Sequence, residues 1–109
     1  MPVNLRRENS NRTGSAFDPW TIQAVWEKGS IVAGVDARFF RKDGCGAWIE
    51  RNAYGDTTPN GKGWEVDHII PVSKGGTDDI WNLQPLQWQN NRAKGESQFN
   101  WSCAVAAVG

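Results

Sequence analysis

The chain has few of the residues from which small proteins build disulfide frameworks or metal clusters. Among its 109 residues are two cysteines, Cys45 and Cys103, and one histidine, His68. Two cysteines exclude a multi-disulfide framework and a four-cysteine zinc site. They could form one disulfide, but reduced thiols are the favoured alternative for a protein of the cytoplasm. We therefore predict no structural zinc.

Long apolar runs are also missing. No stretch approaches the roughly 18 apolar residues of a membrane span. The first seven residues, MPVNLRR, carry charge but are not followed by an apolar segment, which argues against a signal peptide. These features predict a cytoplasmic protein that has no membrane partner.

The sequence has no excess of either charge. Lysine plus arginine number 12 and aspartate plus glutamate number 12, so the formal net charge is zero. Proteins that hold nucleic acid by charge alone are usually basic. Any binding to a phosphate backbone must therefore be local or assisted by a metal cation.

Tryptophan, by contrast, is abundant, with seven residues to build a core. The length fits one domain. Residues 1–15 are predominantly polar and predict a flexible amino-terminal arm, because such a segment buries too little apolar surface to offset its ordering entropy. Residues 16–109 then form a single domain, with a motif core at 64–96.

The hydrophobic pattern predicts an α+β fold. Asp18 is a good N-cap and Pro19 suits the first helical position, so a helix is expected over 19–28. A short helix capped by Asp36 is expected over 34–42. Strands are expected over 45–51 and 64–70, and these two could pair. An extended edge piece over 83–86 and a helix over 87–94 that stops at Gly95 complete the domain.

One short segment concentrates polar side chains suited to phosphodiester chemistry. It contains, in order, Asp67, His68, Asn82, Asn91 and Lys94. Cleavage needs a group that takes a proton from water, and an imidazole that titrates near neutral pH suits that task. It also needs positive charge at the phosphoryl oxygens, which a divalent cation supplies. Mg²⁺ prefers oxygen ligands and keeps several waters, so one carboxylate and one amide oxygen can hold it.

At these residues the sequence resembles the HNH endonuclease family. The stretches that carry the resemblance are WEVDHIIPVSKGG at 64–76, NLQPL at 82–86 and NNRAKG at 90–95. They stand in the family's order and spacing, as in small stand-alone bacterial or phage members. The resemblance implies a ββα-metal (His-Me finger) core, to which the N-terminal helix and an additional small β-hairpin would be added.

The resemblance also implies a role for each residue. His68 would be the general base that activates water, and Asp67 and Asn91 would ligate the metal. Asn82 would brace the loop between the strands and help to hold His68. Lys94, one helical turn beyond Asn91, would face the same way and contact a phosphate.

Two departures from the family pattern bear on the metal. The last motif position is Asn91 rather than histidine, and a neutral amide binds metal more weakly, so affinity should depend on Asp67 and the substrate phosphate. The paired Cys-x-x-Cys zinc knuckles of many relatives are missing. The expected cofactor is one divalent ion, Mg²⁺ or Mn²⁺ first, with Ni²⁺, Co²⁺ and Zn²⁺ as alternatives.

Other polar residues have competing interpretations. Asp78 and Asp79 could be extra metal ligands, but helix capping explains them more simply. Glu65 could face the metal side. Arg41 and Arg92 are the preferred contacts to the DNA backbone, although a solvated face of mixed charge explains the arginines equally well.

The sequence thus predicts a metal-dependent endonuclease that hydrolyses DNA with low sequence specificity, and the resemblance implies that it leaves 5′-phosphate and 3′-hydroxyl ends. A monomer is the default oligomeric state. The alternative is a non-catalytic nucleic-acid-binding module that keeps the same scaffold; such a module would usually have lost Asp67, His68 or Asn91, and all three are present.

Overall fold

A computed structural model describes residues 6–106 as a small α+β protein. Within that part of the chain there are two α-helices, three 3-10 helices of three residues each, and two antiparallel two-stranded sheets. In chain order the elements are α1 (Pro19–Trp26), β1 (Phe40–Lys42), β2 (Trp48–Glu50), β3 (Trp64–His68), β4 (Leu83–Gln87) and α2 (Trp88–Lys94). The predicted α+β class is confirmed. No helix in the described residues has the length and apolarity that a membrane crossing requires.

Helix α1 begins where the capping pattern predicts. Oδ1 of Asp18 accepts a hydrogen bond from the backbone N–H of Thr21 at 2.8 Å, and Pro19 opens the helix. The helix buries Val25 and Trp26 against the core. Capping and apolar spacing together therefore fix the start and the buried face of this helix.

The region before β2 corrects two predictions. Residues 36–39 form turns in place of the predicted short helix, and β1 follows them directly. The sequence suggested that the strand over 45–51 could pair with the strand over 64–70, but β2 pairs with β1, in the register Phe40↔Glu50 and Lys42↔Trp48. The reason is the turn at Asp43, whose N–H donates to Ala47 and whose carbonyl accepts from Gly46. This turn joins β1 and β2 through a loop of a few residues, and closing so short a loop costs less entropy than closing the longer loop between β2 and β3.

Strands β3 and β4 form the second sheet, and α2 follows β4 directly. Their register runs from Trp64↔Gln87 to His68↔Leu83. Pro85 lies opposite Val66 in this ladder, and a two-stranded sheet has only edge strands, where proline is tolerated. Helix α2 ends at Gly95, whose N–H donates to the carbonyl of Asn91. The helix predicted over 87–94 is confirmed.

The core lies between α1 and the β3–β4 sheet. Trp64 is its centre, with the Trp26 ring at 5.2 Å and the Tyr54 ring at 4.9 Å between centroids. The buried members of this cluster are Phe17, Val25, Trp26, Ile49, Trp64, Val66 and Leu83. Aromatic packing of this kind holds the sheet in place.

The two cysteines are bonded to each other, so the expectation of reduced thiols is wrong for this structure. The Cys45–Cys103 disulfide joins positions 58 residues apart and ties the carboxy-terminal tail to the β1–β2 hairpin. Two residues further on, Val105 exchanges hydrogen bonds with the side chain of Asn90 in α2. The tail is thus held to both the hairpin and α2.

Reduction of this disulfide is expected to lower stability substantially. Closing a loop of this length removes entropy from the unfolded chain, worth about 2–4 kcal/mol, so the melting temperature should fall by on the order of 10 °C or more. Circular dichroism melts with and without dithiothreitol measure the effect. The Cys45→Ser/Cys103→Ser variant should melt at the lower temperature and no longer respond to the reductant; equal melting of oxidised and reduced wild-type protein would contradict the prediction.

Candidate active site

Strand β3 presents different side chains to its two faces. Trp64 and Val66 pack into the core, while Glu65 and Asp67 face α2 and contact its residues. This alternation follows from the two-residue period of a strand. Acidic groups of β3 and polar groups of α2 consequently meet in the space between the two elements.

The Asp67 carboxylate is almost fully buried, at 5% exposure, and both of its oxygens have partners. Oδ2 accepts from Nε2 of Gln84 at 2.9 Å, and Oδ1 lies 3.2 Å from the Lys94 ammonium. The pKa of this carboxyl is raised, because the effect of burial is the largest. The hydrogen bond from Gln84 and the charge of Lys94 act in the opposite direction. A cation in this space would gain by pairing with a carboxylate that has lost its water.

Lys94 lies inside the protein rather than on its surface, at 2% exposure. Its ammonium donates to the carbonyl of His68 at 2.7 Å as well as pairing with Asp67. In this arrangement the side chain holds the end of β3 against α2. Its contact with a phosphate stays a prediction, and it requires the ammonium to leave these partners.

His68 ends β3 with its side chain only 3% exposed. Its Nε2 lies 2.7 Å from Oδ1 of Asp78, and its ring packs 5.8 Å from that of Phe17. An ionised carboxylate can only accept, so Nε2 is assigned the hydrogen and Nδ1 the lone pair. Within residues 6–106 no hydrogen bond is made to Nδ1, which leaves that nitrogen available to a water.

The carboxamide of Asn91 is held in one orientation by β3. Its Nδ2 donates to Oε1 of Glu65 at 2.8 Å, and Oε2 of Glu65 in turn accepts from Arg92 at 2.8 Å. Glu8 lies on the same side, 3.5 Å from Nδ2. With the amino group so engaged, Oδ1 of Asn91 points elsewhere, and it accepts no hydrogen bond from any residue between 6 and 106.

Asn82 bridges the loop that joins β3 to β4. Its side chain accepts from the N–H of Ile70 at 2.8 Å and donates to the carbonyls of Ile70 and Thr77 at 3.1 and 2.9 Å. Gly76 lies in the same loop, where an added Cβ would stand 1.7 Å from the Ile70 carbonyl oxygen. The loop that follows His68 therefore depends on a carboxamide at 82 and on a glycine at 76.

Replacing Asn82 with alanine is expected to cost about 3 kcal/mol of unfolding free energy, because three part-buried backbone groups of Ile70 and Thr77 lose their hydrogen-bond partner. Urea unfolding measures this cost. Asn52→Ala removes an exposed carboxamide and should cost less than about 0.5 kcal/mol. Equal midpoints for the two variants would contradict the bracing role.

Asp67, His68 and Asn91 share one small cavity of about 10 Å³, roughly the space of a single water or ion. Sequence reasoning missed the other polar residues around it, which come from the amino-terminal segment and from the end of α2: Arg6, Glu8, Asn9 and Glu96. Asn82, Lys94, Arg41 and Arg92 do not line this space. We refer to it as the β3–α2 cavity.

The amino-terminal segment covers this cavity through specific contacts. Oδ1 of Asn9 accepts from the N–H of Val66 at 2.8 Å and from the hydroxyl of Tyr54 at 2.9 Å. The N–H of Arg12 donates to Asp78, the carboxylate that also holds His68. No pattern in the polar residues before 16 signals these long-range contacts. The mobility predicted for residues 1–15 stays a prediction, and residues 1–5 lie outside the described part.

The two arginines predicted to contact DNA have protein partners. Arg41 donates to the carbonyls of Ala37, Glu27 and Gly29 and lies over the Trp26 ring. Arg92 donates to Glu65. Their contacts with a phosphate backbone stay predictions, since both guanidinium groups already donate hydrogen bonds within the protein.

The donor set suits a hard divalent cation held by few protein ligands. Asp67 offers a buried carboxylate and Asn91 an amide oxygen without a hydrogen bond, and oxygen is the ligand atom that Mg²⁺ and Mn²⁺ prefer. Among residues 6–106 no three histidine, cysteine, aspartate or glutamate side chains are grouped as a metal site. Water and substrate oxygens would have to complete the shell.

Comparison with known proteins gives one match. A family model described as HNH endonuclease matches residues 45–97, just under half of the chain, and this range contains β2, β3, β4 and α2. Neither the curated proteins nor the solved structures include a significant match to this chain. The matched range contains all of the clustered residues from Asp67 to Lys94.

Proposed function

We propose that this chain, of which residues 45–97 match the HNH endonuclease family model, is a divalent-metal-dependent nuclease that hydrolyses DNA phosphodiester bonds. The observation that carries the proposal is the shared cavity of Asp67, His68 and Asn91. The elements around this cavity are two antiparallel strands followed directly by a helix, and this order supports the proposal that β3, β4 and α2 are a ββα-metal core.

In this proposal Asp67 and Asn91 hold the metal ion. Glu65 positions Asn91 by accepting a hydrogen bond from its amino group, which leaves the amide oxygen as the atom for the metal. The Lys94 ammonium offsets the charge of Asp67 while that carboxylate is buried. When bound, a divalent cation supplies positive charge that stabilises the negative charge developing on the phosphoryl oxygens.

His68 takes the proton from the attacking water in this proposal. Asp78 accepts the Nε2 hydrogen, which keeps the lone pair on Nδ1, the atom that receives the proton from water. Phe17 packs against the ring and restricts its rotation. Asn82 holds the loop that leads from His68 toward Asp78.

A phosphodiester is far larger than the β3–α2 cavity, so substrate entry requires a movement. The contacts of Asn9 with Val66 and Tyr54 are the ones to be released, because Arg6, Glu8 and Asn9 of the amino-terminal segment line the cavity. We therefore propose that residues 1–15 act as a mobile arm and that residues 16–109 form the nuclease domain. Low sequence specificity is expected from backbone contacts, by Arg41, Arg92 or Lys94.

Conversion of supercoiled plasmid to nicked circles tests the proposal. Nicking should require Mg²⁺ or Mn²⁺ and stop with EDTA, and DNA ligase should reseal the nicks if the ends are 5′-phosphate and 3′-hydroxyl. DNA binding without cleavage in any of Mg²⁺, Mn²⁺, Ni²⁺, Co²⁺ or Zn²⁺ would instead favour the non-catalytic binding module.

The disulfide bears on the proposed location. Structural disulfides persist in oxidising compartments and are rare in the cytosol, so the Cys45–Cys103 bond favours an oxidising compartment over the cytoplasm predicted from the sequence. Trapping free thiols at the moment of cell lysis decides between the two: alkylated Cys45 and Cys103 would support the cytoplasm.

A further inference from the structure

A second and much larger cavity lies near the amino-terminal end of α2. Its volume is about 320 Å³, within the range of small-ligand sites. The β1–β2 hairpin, residues 60–62 and the carboxy-terminal tail form its walls, and the residues used below are Lys42, Trp48, Asn60, Lys62 and Val105. We refer to it as the tail cavity.

The tail cavity carries positive charge on a chain whose net charge is zero. Lys42 and Lys62 both line it, and no aspartate or glutamate does. Neither lysine forms a salt bridge within residues 6–106. The Lys42 ammonium lies 5.0 Å from the centroid of the Trp48 ring, so charge and aromatic surface occur at one place.

The walls of this cavity are fixed by contacts outside it. The buried Asp43 carboxylate accepts from the N–H of Gln87 and from the side chain of Asn90, which joins the hairpin to α2. Asn90 and Val105 exchange hydrogen bonds, and the Cys45–Cys103 disulfide holds the tail. A preformed cavity loses little freedom when a ligand binds.

We propose that the tail cavity binds an unpaired nucleotide of the nucleic-acid substrate; this inference rests on the proposed nuclease function. The base stacks on Trp48, the flanking phosphates pair with Lys42 and Lys62, and the Asn60 carboxamide, which has no side-chain hydrogen bond within residues 6–106, contacts the base edge. A base inside a duplex is covered on both faces by its neighbours, so this mode of binding requires a single-stranded segment.

The position of the cavity relates it to the cleavage centre. Gln87, the N-cap of α2, lines the tail cavity, while Asn91, about one helical turn further along the chain, lines the β3–α2 cavity. One strand could therefore engage both places over a few nucleotides. The preferred substrate is then DNA with an unpaired stretch beside the bond that is cut.

Fluorescence anisotropy tests the site with the wild-type chain in EDTA, so that binding is measured without cleavage. A labelled single-stranded oligonucleotide and its blunt duplex are the two probes. Trp48→Ala should weaken single-strand binding by about fivefold or more, and Lys62→Gln should weaken it and reduce the salt slope by about 0.7. Duplex affinity should change less for both variants. Lys62 is exposed, so its variant keeps the test valid if Trp48→Ala folds poorly.

Matched controls separate this site from general charge and aromaticity. Lys74→Gln removes another exposed lysine, and Trp20→Ala removes a tryptophan that is 74% exposed on α1. Single-strand affinity unchanged in Lys62→Gln, or lowered equally in the controls, would overturn the proposal. Competition by deoxyadenosine monophosphate well above that by inorganic phosphate supports base stacking, and equal competition would overturn it.

The two proposals fail in different experiments. Plasmid nicking by wild-type protein, together with unaltered single-strand binding by the Trp48 and Lys62 variants, would retain the nuclease and reject the tail cavity. Selective loss of single-strand binding in those variants, with no nicking by wild-type protein in any metal, would support the nucleotide site and reject the nuclease.

Discussion

His68→Ala is expected to lower the rate of plasmid nicking by about 10²–10⁴-fold, the usual contribution of a positioned general base. The substitution removes the only histidine of the chain, whose Nδ1 is the nitrogen left available once Asp78 has engaged Nε2. Metal binding should persist, because the Asp67 carboxylate and the Asn91 amide are untouched. Nicking kinetics with Mn²⁺, together with Mn²⁺ titration, separate the two effects.

The buried setting of His68 demands a control for folding. Alanine leaves a void beside Phe17 and removes the partner of Asp78, so His68→Asn, which retains a polar group, should be assayed beside it. Both variants should melt cooperatively and both should be inactive. Nicking by either folded variant at more than about a tenth of the wild-type rate would exclude His68 as the base.

Asp78 gives a graded comparison within the same dyad. Asp78→Asn keeps the shape of the side chain but no longer enforces the Nε2–H tautomer, so the rate should fall less than in His68→Ala. Because the N–H of Arg12 also donates to Asp78, this variant should also loosen the amino-terminal segment. Faster proteolysis near residue 12 would report that loosening independently of catalysis.

Local elements of this protein could be predicted from local signals. Asp18 and Pro19 start α1, and Gly95 ends α2, because capping and backbone conformation are decided within a few residues. The hairpin at Asp43 was available from the same kind of signal, but the helix predicted over 34–42 is overridden by the pairing of β1 with β2. Strand partners depend on competition between alternatives, which one segment does not reveal.

The site could be predicted in part. The sequence predicted that Asp67, His68 and Asn91 lie close together, and these three residues line one cavity between β3 and α2. The pairing of Asp78 with His68 was not foreseen, since capping was the simpler explanation for an aspartate before a short helix. Asp79 stands at the N-cap of the 3-10 helix Ile80–Asn82, but its side chain makes no capping hydrogen bond. The contact of Asn9 with Val66 spans 57 residues and leaves no periodic trace in the sequence.

Substitution of Asp67 is expected to remove both metal binding and activity. Asp67 is the carboxylate among the two proposed ligands, so Asp67→Asn leaves only neutral amide oxygens, which hold a divalent cation weakly. In wild-type protein, Mn²⁺ at about 100 times its Kd should add about 2.7 kcal/mol to the unfolding free energy. In Asp67→Asn this stabilisation should vanish together with nicking.

The choice of asparagine matters because Asp67 also neutralises Lys94. Asp67→Ala would leave a buried ammonium beside the His68 carbonyl without its carboxylate, at a cost of about 3–5 kcal/mol. With so large a loss of stability, missing activity in Asp67→Ala could come from unfolding as well as from the loss of a metal ligand. Asp67→Asn keeps an oxygen near Lys94, and Asp67→Ala/Lys94→Met removes both charges, so these two variants should fold better than Asp67→Ala alone. Mn²⁺ that still raises the melting temperature of both by the wild-type amount would show that the cation binds elsewhere, and the assignment of Asp67 as ligand would then be wrong.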